Sequence, residues 1–471
     1  MTGIVSYGAY IPYYRLSRKE IARAWGSAPQ PGERSVSNFD EDTITMGTAA
    51  AFDCINGMDR GDIDGLYFAS ASSPYHEKLS AATIATALDL GPEVVVADFA
   101  NSLRAGTNAL RSAIDSVTAG STDKVLIVAS ESRLGAPQSE FEMSFGDGAA
   151  ALLVGRSDVA VEIEGSFTVF DEFMDIWRTD RDTFCRSWES RFVISEGYEK
   201  NMRRAVSGVM NKCHLNAKDI AKVVLYAPNA RSHAALGKKL GFDVKRQLQD
   251  PLLKDVGNTG SASAFMILVA ALEEALPGDR ILMASYGDGV DAFILRVTED
   301  VKGLKDRRGI SWHLERKGLL TNYEKYIRFR NLMPMEGSRR RLPPGSVSRN
   351  WRDTQGAIRL HGVTCKACGL VQFPPTRICL KCRSKDEMET IRLSDKRATV
   401  FTYSLDRLTA SPDPPAINTA INFEDGGRMF CLLTDCNPDE VKIGMPVEMT
   451  FRCMHKGGGF NNYYWKAKPA G

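Results

Sequence analysis

Hydrophobic and polar positions follow two periods over residues 1–300. Apolar runs of strand length recur at 4–11, 66–70, 94–96, 124–129, 145–155, 161–170, 223–226, 280–285 and 291–297. Between them lie stretches with apolar residues at helical spacing. One covers 40–55, with Ile44, Met46, Ala49, Ala50 and Phe52 on a face; others cover 197–213 and the small-residue-rich 259–275. Val94, Val95 and Val96 predict a strand covered on both faces. Polar turn residues 98–102 follow, then a helix from Leu103 carrying Leu110, Ala113, Ile114 and Val117 on one stripe, with Gly106 allowing close packing. Such an elbow holds a side chain at a helix N-terminus, where negative charge is favoured and a thiol nucleophile is activated. The alternation predicts an α/β layered fold in two successive halves, 1–160 and 161–300.

The pattern changes after Glu299. Residues 301–356 are charged and proline-bearing; NYEKYIRFRNLM predicts a short helix and the rest a linker. Its run Arg339, Arg340, Arg341 before Pro343-Pro344 reads as a solvated linker or as a contact for a ligand phosphate. Residues 357–390 hold Cys365, Cys368, Cys379 and Cys382 as C-x2-C-x10-C-x2-C. Each pair lets one tight turn aim two sulfurs at one ion, and four thiolates suit tetrahedral zinc in a closed, structural site. A ribbon that folds without metal is the alternative. Residues 391–471 carry short alternating strands (TVFTYSL, INTAINF, RMFCLLTDC, PVEMTFRC, NNYYWKAKP) between glycines and prolines, which predicts a small OB-type β-barrel.

Composition narrows the function classes. The 471 residues are 43% hydrophobic and 25% charged, as in ordinary globular chains of several domains. A formal net charge of +2 gives no reason to expect nucleic acid, even beside an OB barrel. No apolar run is long enough to span a membrane, and the opening MTGIVSYGAYIPYYRL reads as a first strand, not a signal peptide. Ten cysteines in so long a chain argue for a reducing cytoplasm, not a disulfide scaffold.

Two segments carry a family resemblance. ADFANSLRAGTNAL and the opening GIVSYGAYIPYYRLSRKEIARAWG resemble the archaeal-type 3-hydroxy-3-methylglutaryl-CoA synthases of the thiolase superfamily, over about residues 1–320. The tail, with CKACG and FPPTRICLKC followed by VKIGMPVEMTF, resembles the acyl-CoA-associated zinc-ribbon/OB-fold family, whose modules help hold a CoA thioester beside thiolase-type enzymes. The resemblance implies a duplicated five-layer thiolase fold, an acyl-CoA thioester as substrate with CoA as its carrier, and a homodimer or larger thiolase-type complex.

The same resemblance exposes three departures. Leu103 stands where the family has its cysteine, Ala71 in SASSPYHEK where it has its acid/base glutamate, and Tyr226 in YAPNARSHAALGKKLGF where it has its histidine. Asn258 in DVGNTGSASA matches the thioester-positioning asparagine, able to donate to an oxyanion; as the residue before a helix it also reads as an N-cap. Cys54, Cys185, Cys213, Cys431, Cys436 and Cys453 are away from the elbow and read as packing residues. Ser102 adjoins it, with no base legible beside it.

A site that keeps its thioester scaffold and loses its nucleophile suits enolate chemistry without an acyl-enzyme. The expectation is an aldolase or retro-aldolase on a 3-hydroxyacyl-CoA, with Tyr226 as acid/base if neighbours lower its pKa or a bound water shares its proton, and with Asn258 and the backbone amides at Leu103 as oxyanion donors. The thiolase-fold steroid side-chain aldolases, which lack the cysteine and need a zinc-ribbon/OB-fold partner, are similar in logic. The alternatives are a synthase- or thiolase-like acyltransferase, and a non-catalytic subunit holding CoA esters, with Tyr226 a buried space-filler.

Overall fold

The nine apolar runs of residues 1–300 become the nine strands of one mixed sheet. They are β1 Gly3–Tyr10, β2 Gly65–Ala69, β3 Val95–Phe99, β4 Val125–Glu131, β5 Gly148–Gly155, β6 Val161–Phe170, β7 Lys222–Leu225, β8 Arg280–Tyr286 and β9 Gly289–Val297. Their spatial order is β7-β8-β9-β6-β1-β5-β4-β2-β3. β2 is parallel to β3 and β4, and β7 to β8; the other pairings are antiparallel. The computed structural model describes residues 2–305, 307–334, 336 and 345–471, so Arg339, Arg340, Arg341 and Pro343-Pro344 lie outside the described residues.

β1 is buried along its whole length and joins the halves, pairing with β5 from Gly3 to Tyr10 and with β6 at Gly3 and Ile4. Close backbone approach requires its glycines: a Cβ on Gly8 would stand 2.3 Å from the Ala50 carbonyl oxygen and 2.5 Å from the Cys54 nitrogen. The helix Ala105–Ala119 and the helix Ser263–Glu274 share one core, with Leu110, Ala113 and Val117 of the first and Phe265, Ile267 and Leu268 of the second all buried. Gly106 is where the first helix meets the turn just before the second, since a Cβ there would lie 2.7 Å from the Ser261 carbonyl oxygen. The helix Lys200–Lys212 packs on β6, β8 and β9 in a second core.

Two local expectations are corrected. β3 is not covered on both faces: it is the edge strand of the sheet, and Val95 is 53% exposed. A β-branched triplet signals a strand but not how many neighbours it has. The helix begins at Ala105, leaving Leu103 in the turn before it.

The chain forms two compact units, one of Met1–Ser37, Met46–Ala85 and Leu90–Tyr323, the other of Asn38–Thr45, Thr86–Asp89 and Glu324–Gly471. Part of the expected linker is packed: Ile310, Leu320 and Tyr323 are buried in the first unit, and Tyr326 and Phe329 in the second. In the second unit, strands His361–Cys365, Val371–Gln372 and Met388–Arg392 form a small sheet. Ala398–Asp406, Ala416–Phe423, Arg428–Leu433, Phe460–Pro469 and Pro446–Gly457 close, in that spatial order, into a five-stranded barrel. Alternation in Ala416–Phe423 puts Ile417, Thr419, Ile421 and Phe423 inside.

Charge is buried in this unit as well. Arg452 is fully buried and pairs with Asp40 at 3.3 Å, with Glu41 at 2.8 Å and with Asp435, while Lys466 meets Asp40 at 2.7 Å. Burial alone would raise the Asp40 pKa, but Lys466 and Arg452 hold it below the usual carboxylate range. Replacing Arg452 with Met removes a cation shared by three carboxylates. It should lower stability by about 3–5 kcal/mol, read as a fall in the denaturant midpoint of the full chain.

Candidate active site and four-cysteine metal site

Leu103, Tyr226 and Tyr286 fall in one hydrophobic cluster with Ala71 packed against it, so the three positions singled out in the sequence share one region. Each of these groups lies at or just beyond the C-terminal end of a strand: Ala71 after β2, Leu103 after β3, Tyr226 after β7, Tyr286 at the end of β8. Leu103 packs on Gly287, where a Cβ would stand 3.0 Å from the leucine Cβ. The leucine side chain occupies the elbow and brings no chemistry to it.

Tyr226 is 2% exposed. Its phenolic oxygen accepts a hydrogen bond from Asn258 Nδ2 at 3.0 Å. Asn258 Oδ1 accepts from Arg133 Nη2 at 3.0 Å and from the Gly260 amide at 2.9 Å. The asparagine backbone is pinned too, its N–H donating to the Ser144 carbonyl at 2.7 Å. The N-cap expected at Asn258 is corrected: Thr259 precedes the short 3-10 turn Gly260–Ala262 and the α-helix starts at Ser263, so the Asn258 side chain instead bridges the Gly260 amide and Tyr226. Its donor end meets a phenol.

Two further tyrosines frame Tyr226. Tyr198, in the π-helix Val193–Glu199, donates to the Tyr226 carbonyl at 2.9 Å, and Tyr286 stacks on Tyr226 with ring centroids 6.3 Å apart. Tyr286 shares a hydrogen bond with the buried carboxyl of Asp175. Burial pushes the Tyr226 phenol above its ordinary pKa, while Arg133 and the Asn258 hydrogen bond oppose that rise. The lowered pKa expected for an acid/base tyrosine is not what this environment produces: desolvation of the phenolate outweighs one indirect cation.

Glu131, at the end of β4, is fully buried close to Ala71. Its carboxylate accepts from the Ala71 amide at 3.2 Å, from Ser72 Oγ, and from Ser261 Oγ at 2.8 Å. These donors fix it as a structural acceptor. The backbone amides behind Leu103 are also less open than expected: the Arg104 N–H meets Ser102 Oγ at 3.3 Å and the Ala105 N–H meets the Ser102 carbonyl at 3.0 Å. Ser102 Oγ donates to Asp288 at 2.8 Å. Glu131, Arg133, Tyr198 and Tyr286 were missed in the sequence; two charged residues directly after an apolar strand, in IVASESR, were the available signal for the first pair.

The comparisons with known proteins bear on this site. The hydroxymethylglutaryl-CoA synthase of Aeropyrum pernix is 34% identical over 340 residues, covering 70% of this chain and 94% of that protein. That of Methanopyrus kandleri is 31% identical over 339 residues, covering 70% and 97%. The chain belongs to the hydroxymethylglutaryl-CoA synthase family. Fold comparison agrees: a crystal structure of an HMG-CoA synthase complexed with CoA superposes with a TM-score of 0.63 at 22% identity, covering 69% of this chain and 89% of that one. Within this family membership, residues 210–297 match the C-terminal part of 3-oxoacyl-[acyl-carrier-protein] synthase III. Beyond the synthase region, residues 357–389 match the rubredoxin-like zinc ribbon domain of ChsH2 and residues 391–452 its C-terminal OB-fold domain. This synthase-family chain therefore carries a two-domain tail beyond its synthase region.

The ribbon cysteines converge. All four sulfurs lie within 4.8 Å of one another, with Cys365 to Cys382 at 3.6 Å and Cys368 to Cys379 at 3.5 Å. Thiolates about 2.3 Å from a tetrahedral ion stand roughly 3.8 Å apart, so the set fits zinc. Two turns build it: the Gly369 N–H bonds the Cys365 carbonyl at 2.8 Å, and the Arg383 N–H bonds the Cys379 carbonyl at 3.1 Å. Elemental analysis of the purified protein should find about one zinc per chain, lost on Cys379→Ser together with the folded ribbon.

Proposed function

We propose that this protein makes or breaks a carbon–carbon bond next to a CoA thioester without forming an acyl-enzyme, as an aldolase on a 3-hydroxyacyl-CoA. The observation that carries the reading is the phenol of Tyr226, held by Asn258 in the cluster that also contains Leu103; the family resemblance implies a histidine and a cysteine at those two positions. In cleavage, the Tyr226 phenolate takes the β-hydroxyl proton. The carbonyl forms as the Cα–Cβ bond breaks, and its electron pair moves onto the thioester as an enolate. The phenol then returns the proton to Cα, giving a shorter acyl-CoA and a free carbonyl compound. Condensation runs the same steps backwards, so both directions begin from the phenolate.

The zinc, when bound, supplies no chemistry to this step: four thiolates would hold a closed structural centre that stabilises the ribbon. The second reading is an acyl-transferring synthase, favoured by the names of the relatives. It requires a nucleophile that Leu103 cannot provide.

Product analysis by mass spectrometry decides between them, using 3-hydroxyacyl-CoAs with secondary and tertiary alcohols beside acetyl-CoA and acetoacetyl-CoA. The expected result is a shorter acyl-CoA plus a ketone or aldehyde, reduced at least about 100-fold by Tyr226→Phe. Condensation from acetyl-CoA and acetoacetyl-CoA alone, unaffected by Tyr226→Phe, would support the synthase reading. Binding of CoA esters with no turnover would support a holding subunit. Because burial raises the Tyr226 pKa, the aldol rate should climb with pH through the neutral range, with no plateau below about pH 10.

A further inference from the structure

The proton transfer assigned to Tyr226 needs a phenolate in a buried place, and burial disfavours one. The charged groups facing that phenol are Arg133, Asp175 and Glu131, with the phenols of Tyr198 and Tyr286 beside it. Both carboxylates work against a phenolate, leaving Arg133 as the cation of this set.

Arg133 is 2% exposed, and its Nε and Nη1 have no hydrogen-bond partner. A buried guanidinium is ordinarily neutralised by a carboxylate, because leaving it unpaired costs several kcal/mol. Glu131 is the near candidate, but its bonds go to Ala71, Ser72 and Ser261 and not to Arg133. The guanidinium instead lies over the Phe145 ring, 4.1 Å from its centroid, and gives one N–H to Asn258. Among the described residues it therefore has no direct carboxylate contact.

The hydrogen bonds from there run in one sense. A guanidinium can only donate, so Asn258 must turn its oxygen toward Arg133; the Gly260 N–H, also only a donor, holds that same oxygen. The amide nitrogen then faces Tyr226, and its N–H donates to the phenolic oxygen. An amide polarised at its oxygen by a cation is a stronger donor at its nitrogen.

We propose that Arg133 is the positioning residue of this site: it fixes the Asn258 amide in one orientation and, through that amide, stabilises the phenolate of Tyr226 on which proton transfer depends. The proposal rests on the reading of Tyr226 as the proton-transfer group, but its test needs no substrate.

The test is ultraviolet difference titration of tyrosinate on the full-length protein, with the curve of Tyr226→Phe subtracted to isolate Tyr226. Arg133→Met should move the Tyr226 ionisation to higher pH by at least about one pH unit. Arg133→Lys, which keeps the charge, should retain most of the wild-type position. Asn258→Leu breaks the relay while leaving Arg133 in place, and should give the same upward move; it covers the case in which Arg133→Met does not fold. A Tyr226 ionisation unchanged in Arg133→Met, or in Asn258→Leu if that is the variant that folds, overturns the proposal. If the ionisation moves as expected but no CoA ester is turned over, the relay stands and the aldolase reading falls.

Discussion

A strand buried on both faces and paired on both edges has no water to satisfy its backbone, so the ladder must do so along its length. β1 is under that constraint, paired along its length with β5 and at Gly3 and Ile4 with β6, and its glycines exist because neighbouring backbone comes within contact distance. Once β1 is set, the register of β5 and β4 follows, and with it the place where β4 ends. Glu131 and Arg133 emerge at that end, and Asn258 is drawn to it by backbone bonds to the segment 144–146. The chemistry sits where the sheet's ladder stops.

At that point the molecule presents polar side chains. Leucine at 103 cannot attack a thioester, and the carboxylate nearest to Ala71 is occupied by its own donors. What remains is a phenol, an amide and a guanidinium without a carboxylate contact, connected in series. Such a series has a direction because its first member has no acceptor atoms. Exchanging oxygen and nitrogen in the Asn258 side chain would break two bonds at once, with Arg133 and Gly260, so the direction is doubly enforced.

Much of the fold could be read from the chain. All nine strands of the sheet were signalled by short apolar runs, and the five barrel strands by alternation between glycines and prolines. The C-x2-C pairs needed no structure to suggest a shared ion, because ligand spacing is a local property. Position within a sheet is not local, which is why the edge placement of β3 was invisible. Leu103, Ala71 and Tyr226 stood out through resemblance, whereas Arg133 did not: its meaning lies in which partners it lacks, and a sequence does not record unfilled hydrogen bonds. Asn258 stood out as a candidate donor, but the helix it was read as capping starts further on, at Ser263.

The second unit is assembled from three pieces of chain, and Arg452 shows what that entails. Its acidic partners Asp40 and Glu41 precede it by some four hundred positions in the same polypeptide. A gene rearrangement that lifted the ribbon and barrel away at residue 324 would carry off the arginine and leave those two acids behind. Grafted onto another protein, the tail would arrive with a buried cation short of counter-charge. Ancestry can bring such modules together by simple fusion, but once charges of this kind have been exchanged, the join is hard to undo, and the two coding regions are committed to descend together.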